Sequence, residues 1–122
     1  MSDADPLAAR RVRHAFSSPV QGRARADLPG LPVLFRTQGL VMTFAWIRER
    51  SPQVADAITA YLANQGGDGW AATPLKPRDG ASARALVEAW IKLDAAQAAA
   101  VEHEALRYAE QLKLVDKLRG GA

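Results

Sequence analysis

The hydrophobic residues of this chain recur with the period of an α-helix, and their spacing predicts the fold class. The run from Leu31 to Ile47 is mostly apolar and is broken by a single arginine and a single glycine. Between Val54 and Leu62, apolar residues follow the i, i+3, i+4, i+7, i+8 spacing of an amphipathic helix. No stretch alternates apolar and polar residues as a half-buried strand does. We therefore expect an all-α, single-domain bundle of about five main helices over residues 1–122, without a sheet.

Capping residues and helix breakers set the expected boundaries. Asp5-Pro6 is a typical helix start, and this first helix should end near Phe16. The central run predicts one helix from about Pro32 to Glu49. Gly39 costs roughly 1 kcal/mol relative to alanine inside a helix, so it either bends this helix or admits a neighbouring backbone. Further helices are expected from Ser51-Pro52 to about residue 64, over Ala81–Lys92, and from a capping box at Asp94 and Gln97 to Leu118.

Other features concern the loops and the interior. Residues 18–30 and 66–80 are rich in glycine and proline and should form loops, the first with room for a turn of helix.

The last helix carries a heptad-like seam, in which apolar residues are separated alternately by four and three positions: Val101, Ala105, Tyr108, Leu112 and Val115. Trp46, Trp70 and Trp90 are expected wholly or partly in the core. Trp70, in a predicted loop, could instead anchor a protein interface, where tryptophan is enriched.

The composition excludes several kinds of chemistry. The 122 residues include no cysteine, which excludes disulfides, thiolate metal sites and cysteine nucleophiles. The acidic N-terminal segment is unlike a secretory signal. The longest nearly charge-free run, Thr37–Ile47, is far shorter than the ~20 residues that span a membrane. We therefore expect a soluble, cytoplasmic protein with no membrane partner.

The histidines and carboxylates form no recognisable catalytic or metal-binding pattern. His103-Glu104 begins like the zinc-protease helix, but that motif needs a second histidine where this chain has Arg107. Arginines surround His14 in the sequence, and the glycine-rich segment 65–69 lacks the lysine of a phosphate-binding P-loop. We therefore expect a protein that is not an enzyme and that uses no cofactor, no metal and no small-molecule substrate.

Positive charge is concentrated in the first part of the chain. Residues 1–50 carry eight arginines and four acidic side chains, whereas residues 51–122 carry eight basic and nine acidic ones. This asymmetry favours one face for a polyanion and another for protein. Arginine suits phosphate because its planar guanidinium can donate to two oxygens. The alternatives are a charged face that is merely solvated, and a coding bias towards arginine, which explains the residue type but not the asymmetry.

Three basic clusters are candidate contacts with RNA phosphates. They lie on the first helix, in the loop after it and near the end of the last helix, and their members are Arg10, Arg11, Arg13, Arg23, Arg25, Lys113 and Lys117. Arg119 lies just beyond the last cluster. Phe16 is the only aromatic residue near the arginine clusters. We therefore expect contact with the nucleic-acid backbone, without sequence readout by base stacking.

The central run also carries a longer motif, L-P-x-L-x-R-T-x-G-L-x-x-T-x-A. Its residues are Leu31, Pro32, Leu34, Arg36, Thr37, Gly39, Leu40, Thr43, Phe44 and Ala45. This pattern resembles the signature of the small α-helical subunit of the Cmr complex, the type III-B CRISPR effector, which is RNA-guided. A second segment, Glu104-Ala105-Leu106 followed by Leu112-Lys113, resembles the C-terminal helix of that family. This chain departs from the family there, because Gln111 and Leu114 replace an aromatic residue and an arginine, and the tyrosine and threonine usual upstream are missing.

The resemblance implies a non-catalytic role in antiviral defence. Copies of such a subunit stack head to tail beside the other Cmr subunits, and a basic face contacts the CRISPR RNA–target RNA duplex or the single-stranded target RNA. The motif match makes Arg36 a further candidate for contact with RNA or a neighbouring subunit, although it could equally point to water beside Gln38 and Thr43. The alternative function is a helical adaptor between proteins that binds no nucleic acid and pairs through the Val101–Val115 seam.

Overall fold

The computed structural model describes residues 6–18, 20–64, 69–70, 73–75 and 82–120. This part of the chain forms five α-helices and one 3-10 helix and contains no strand. The predicted all-α, single-domain bundle is therefore confirmed. The elements are α1 (Pro6–Ser17), the 3-10 helix (Gly22–Asp27), α2 (Leu31–Arg50), α3 (Pro52–Leu62), α4 (Ala83–Trp90) and α5 (Ala95–Gly120).

The long helix α5 is the centre of the bundle, and α1, α2 and α3 pack against it. All five residues of the predicted seam, from Val101 to Val115, are buried. Their spacing of four and three residues keeps them on one face of the helix, and this face is directed inward. α5 therefore uses the seam within its own chain. This burial is incompatible with the form of the adaptor hypothesis that pairs the seam with another protein.

Helix α2 consists of two helical halves that meet at Gly39. The backbone of Gly39 has φ 81° and ψ 179°, a conformation essentially confined to glycine. The break leaves the amide of Leu40 without its intrahelical acceptor. This N–H donates instead to the Glu102 carboxylate of α5 at 2.8 Å. Of the two roles considered for Gly39, the structure therefore supports the bend.

Polar contacts at the helix ends agree with the sequence at α5 and differ from it at α3. Asp94 caps α5 by accepting from the amide of Gln97 at 2.8 Å, as the capping box predicts. Ser51 precedes α3 but makes no capping bond, because its hydroxyl donates to the carboxylate of Asp27. The same carboxylate accepts from Arg50 at 3.2 Å. Asp27 therefore ties the junction of α2 and α3 to the 3-10 helix.

The two predicted loops agree with the structure where it describes them. Within residues 18–30 the chain forms the short 3-10 helix, at the place where the sequence has room for a turn of helix. Of residues 66–80, only 69–70 and 73–75 are described, and neither piece is helical. The rest of that predicted loop lies outside the described residues.

Helix α4 is shorter than predicted, whereas α3 agrees with its amphipathic pattern. α3 ends at Leu62, the last residue of that pattern, and α4 spans Ala83–Trp90 where a helix over Ala81–Lys92 was expected. Ser82 fixes the start of α4, because its hydroxyl accepts from the amide of Ala85 at 3.0 Å. None of the described helices has both the length and the apolar character needed to cross a membrane.

The three tryptophans occupy different environments. Trp70 is buried, so its interpretation as an interface anchor is wrong. Trp90 is half-buried, and its indole N–H donates to the carbonyl of Ala98 at 2.9 Å. Trp46 is 38% exposed, so it lies at most partly in the core, and the Arg50 guanidinium lies 4.7 Å from its ring centroid.

Candidate nucleic-acid interface

The predicted basic residues do not form one surface. They fall into three environments, which are the core, separate surface positions and one end of the bundle. At that end α1 finishes, the 3-10 helix lies and α5 finishes. We call this surface the basic end and define it by four exposed cationic side chains of the 3-10 helix and α5: Arg23, Arg25, Lys117 and Arg119. Arg13, on α1, is exposed as well but lies outside this set.

Two contacts join the three elements at the basic end. Arg25 of the 3-10 helix donates from Nε to a carboxylate oxygen of Asp116 on α5 at 2.7 Å. The guanidinium of Arg119, near the end of α5, lies 5.2 Å from the ring centroid of Phe16 in the last turn of α1. Asp116 neutralises part of the charge, whereas the aromatic ring leaves the charge of Arg119 in place.

A cleft of about 220 Å³ opens at the basic end. Its walls come from the start of the 3-10 helix, the residues before it and the end of α5: Val20, Gln21, Gly22, Arg25, Asp116 and Arg119. Gly22 has φ 64°, a left-handed value that favours glycine. Among the described residues no atom lies within 4 Å of the place where its Cβ would stand. The turn at Gly22 therefore leaves this side of the cleft open.

Arg11 belongs to the core, so the prediction that it contacts RNA is wrong. Its side chain is buried between helices, and Nε and Nη2 donate to the two carboxylate oxygens of Glu104 at 2.6 and 2.8 Å. The hydroxyl of Tyr61, on α3, donates to the same carboxylate. A guanidinium engaged in such a buried bidentate pair is not at a surface that a phosphate can reach.

His14 is part of the same buried polar cluster. Its Nδ1 is hydrogen-bonded to the hydroxyl of Tyr108, and the rings of Tyr61 and Tyr108 stack with their centroids 4.2 Å apart. Burial raises the pKa of both phenols, and for Tyr61 the Glu104 carboxylate raises it further. Both phenols therefore stay protonated at neutral pH. The cluster ties α1 to α3 and α5, which is a structural role.

Arg10 and Arg36 each have a partner of their own. Arg10 is half-buried and donates from Nη1 to the carbonyl of Gly69 at 3.1 Å. Arg36 is exposed on α2, with Nη2 3.8 Å from a carboxylate oxygen of Glu110, which makes a weak surface ion pair. This exposure fits both interpretations of Arg36, as a residue that faces water and as one that contacts a ligand. Thr43, expected beside it, is buried instead.

The basic residues of α5 differ in exposure. Lys113 is half-buried, one turn from Glu110, whereas Lys117 is exposed and belongs to the basic end. Arg119 was not among the predicted contacts. Its only signal in the sequence is its position in the last turn of a helix, where cations complement the helix dipole. Its aromatic partner, Phe16, lies in a different helix.

The two histidines do not converge. His14 is buried in the polar cluster, and His103 is exposed on α5. Within the part of the chain that the structure describes, no group of three or more histidine, aspartate or glutamate side chains is placed to hold a metal ion.

A second surface feature is an apolar groove between α2 and α4, with a volume of about 240 Å³. It is lined by Val41, Phe44, Ala45, Arg48, Ala83, Arg84, Val87 and Glu88. Val41, one of the lining residues, is 41% exposed. Exposed apolar surface at a groove is typical of a surface that contacts protein.

The basic end and the α2–α4 groove therefore suit different partners. The first carries positive charge, and the second is mostly apolar. In comparisons with known proteins, the chain matches no family model, no curated protein and no solved structure.

Proposed function

We propose that this protein is a non-catalytic small subunit of a type III-B CRISPR RNA-guided effector complex. In this role, copies of the chain stack into a filament beside the other Cmr subunits. The basic end contacts the CRISPR RNA–target RNA duplex or the single-stranded target RNA. Its cations neutralise phosphates and hold the strand, while a different subunit cuts it.

The observation that carries the RNA-binding role is the gathering of four exposed cations at the basic end. They come from the 3-10 helix and the end of α5, two elements that are far apart in the sequence and that line one cleft. Two of them are held in place, Arg25 by Asp116 and Arg119 by the ring of Phe16. A phosphate chain releases counterions at each cation that it meets, so cations grouped on one surface bind it more strongly than the same charges dispersed.

The central motif supports the family assignment. Its residues Leu31, Leu40 and Phe44 are buried, and its glycine stands at the break in α2, where a positive φ is needed. The motif therefore corresponds to a physical unit, two half-helices joined at a glycine. In the second matching segment, Glu104 is the buried carboxylate that pairs with α1.

The basic end is suited to the sugar–phosphate backbone. Among the described residues there, Phe16 is the only exposed aromatic side chain, and the Arg119 guanidinium covers one face of its ring. Binding by base stacking uses several open aromatic faces along a strand. We therefore expect affinity that is nearly independent of RNA sequence.

RNA binding is tested by fluorescence anisotropy of the full chain with two single-stranded RNAs of unrelated sequence at a series of salt concentrations. We expect similar affinities for the two, with the logarithm of the affinity falling by about 0.7 per phosphate contact for each tenfold rise in salt. The double variant Arg23→Gln/Lys117→Gln should bind more weakly. Arg84→Gln/Lys92→Gln, which removes the same charge on and beside α4, should bind like the parent chain.

The result that contradicts RNA binding is no detectable binding at the lowest salt, with the partner subunits of the complex either present or absent. Equal weakening by the two double variants would also count against the basic end, because it would indicate a general effect of net charge.

Stacking of copies requires a head-to-tail contact, which continues along a row because it does not close on itself. The α2–α4 groove, with the exposed Val41 in its wall, offers one apolar face for such a contact. Sedimentation velocity should show association that increases with concentration. Val41→Asp should reduce it, whereas Val33→Asp, a change at another exposed apolar residue of α2, should not.

The same groove favours a second candidate function, a helical adaptor that binds protein and no nucleic acid. This version does not need the seam of α5, because the groove, with the exposed Val41 in its wall, already presents apolar surface. An adaptor would show no RNA binding at low salt, while Val41→Asp would weaken its association with protein. RNA binding that depends on Arg23 and Lys117 would exclude it.

A further inference from the structure

We propose that the cleft at the basic end seats a single phosphoryl group between the guanidinium groups of Arg25 and Arg119. This inference deepens the RNA-binding role proposed above. It rests on that role only in taking RNA as the source of the phosphoryl group. The ligand is a phosphate monoester or a phosphodiester, and inorganic phosphate is its simplest probe.

Arg25 lies in the cleft with one edge of its guanidinium already anchored. Nε donates to Asp116 at 2.7 Å, and the side chains of Arg25 and Asp116 are 46% and 20% exposed, so the carboxylate is the more deeply placed of the two. Within the described residues the guanidinium makes no second hydrogen bond. A guanidinium has five N–H donors in a rigid planar fork. Its two terminal nitrogens therefore remain available to an anion.

Arg119 is positioned by a different interaction. Its guanidinium lies 5.2 Å from the centroid of the Phe16 ring, within the range of a cation–π contact. Such a contact restrains the group but does not neutralise it and uses no N–H donor. No carboxylate among the described residues is paired with Arg119. The cleft therefore has one guanidinium held by a carboxylate and a second, fully charged guanidinium held by a ring.

The charge balance of the cleft favours an anion. Two guanidinium groups and one carboxylate, that of Asp116, line it and leave one positive charge in excess. Arg23 and Lys117 are exposed sequence neighbours of the lining residues and add to the local positive potential. Two like charges that share a small cleft repel each other, and an anion between them relieves that repulsion. If Arg25 and Asp116 formed only an isolated surface ion pair, Arg119 would not have to line the same cleft.

The cleft also has room for a tetrahedral oxyanion. Its volume is about 220 Å³, whereas one water occupies about 30 Å³ of the liquid. The open side at Gly22, where no described atom lies close to the missing Cβ, lets a strand enter and leave on either side of the bound group. One phosphate held in this way would fix the position of the strand, while the other cations of the basic end contact its neighbours less specifically.

The test is a phosphate titration of the ¹⁵N-labelled full chain, followed by NMR, with chloride exchanged for phosphate at constant pH and ionic strength. We expect saturable shifts of the Gly22 and Arg25 amides. Affinity should fall at least about tenfold in Arg25→Gln and in Arg119→Gln, as loss of a charged hydrogen bond predicts. Lys92→Gln, which removes an exposed cation just after α4, should bind phosphate like the parent chain. The spectra also report whether each variant is folded. Two cleft variants are made because one folded variant is enough for the test.

Equal phosphate affinity in the parent chain and in both cleft variants would overturn the proposed seat. Shifts that never saturate and spread over all cationic residues would do the same. A second arm compares one RNA strand with and without a 5′-phosphate. Tighter binding of the phosphorylated strand identifies a terminal monoester. Equal binding of both strands that is weakened by Arg25→Gln identifies an internal phosphodiester.

The two proposals fail separately. If RNA binds the parent chain, and both cleft variants bind phosphate and RNA as the Lys92→Gln control does, then the seat is wrong and the RNA-binding role stands. If phosphate saturates the cleft but no RNA binds at low salt, then the seat stands and the RNA-binding role is wrong.

Discussion

Replacement of the glycine at the break in α2 tests the physical basis of the central motif. An alanine at position 39 would have to adopt φ 81° and ψ 179°, which costs a residue other than glycine of the order of 1–3 kcal/mol. Its Cβ would also stand 3.1 Å from Oε2 of Glu102. That carboxylate accepts from the amide of Leu40, and a shift would weaken a helix-capping bond of about 0.5–2 kcal/mol.

The unfolded chain contributes an effect in the opposite direction. Alanine lowers the conformational entropy of the unfolded chain and so stabilises the folded protein by about 0.4–1 kcal/mol. The net destabilisation by Gly39→Ala is then about 0.5–4.6 kcal/mol. For 122 residues, an unfolding entropy of about 2.1 cal/mol/K per residue converts each kcal/mol into about 4 °C of Tm. We therefore expect Tm to fall by about 2–18 °C in thermal unfolding followed by circular dichroism.

Gly30→Ala is the matched control. Gly30 has φ −89°, and no described atom lies within 4 Å of its missing Cβ. Its replacement should change Tm by less than about 2 °C, because a small loss at the start of the helix and a small gain from the unfolded chain oppose each other. Glu102→Ala should reproduce the capping part of the effect alone. A Gly39→Ala variant as stable as the parent chain, or no less stable than Gly30→Ala, would refute this reasoning.

Three further predictions concern the interior. Tyr61 and Tyr108 are the only tyrosines, and burial raises the pKa of both. Phenolate absorbance should therefore be absent from the folded chain as the pH passes about 10, and its appearance before unfolding would contradict this. As the pH rises, the unfolded chain releases these protons before the folded chain does. The free energy of unfolding, measured in urea, should therefore be unaffected by the two tyrosines below about pH 10. Above that pH it should fall by at most about 2.7 kcal/mol per pH unit for two groups. Arg11→Met leaves a buried carboxylate unpaired and should cost about 3–5 kcal/mol in the same assay, whereas a surface pair would cost under about 1 kcal/mol. Leu112→Ala in the buried seam should cost about 2–5 kcal/mol. Leu118→Ala, on the same helix but 72% exposed, should change stability by less than about 0.5 kcal/mol, and equal effects would contradict the packing of α5.

The architecture could be predicted because local patterns determine most of it. The seam from Val101 to Val115 predicts a buried face, and the structure buries it. Gly39 marks a bend in the sequence, but only the structure shows how the second half of α2 is oriented after the break. There Leu40 and Phe44 face the core while Trp46 faces outward. The sequence left open whether Trp46 is wholly or partly buried, because residue type alone does not give the direction of a side chain on the helix.

The candidate site was harder to predict because its geometry depends on contacts between distant residues. Arg11 resembles its basic neighbours in sequence, yet it pairs in the core with Glu104, 93 positions away. Nothing local to either residue marks that pair. In the same way, Arg119 gains its position from Phe16 at the other end of the chain. Sequence therefore indicated a basic surface and most of its members, while helix packing decides which cations reach it.

The central claim is that the cations of the basic end hold the sugar–phosphate backbone of RNA. It is tested most directly by the salt dependence of single-stranded RNA affinity for the full chain and for the triple variant Arg23→Gln/Lys117→Gln/Arg119→Gln. Each phosphate contact contributes about 0.7 to the slope of log affinity against log salt. We expect the slope of the triple variant to be smaller by about 2, with weaker binding at every salt concentration. An unchanged slope together with an unchanged affinity would contradict the claim.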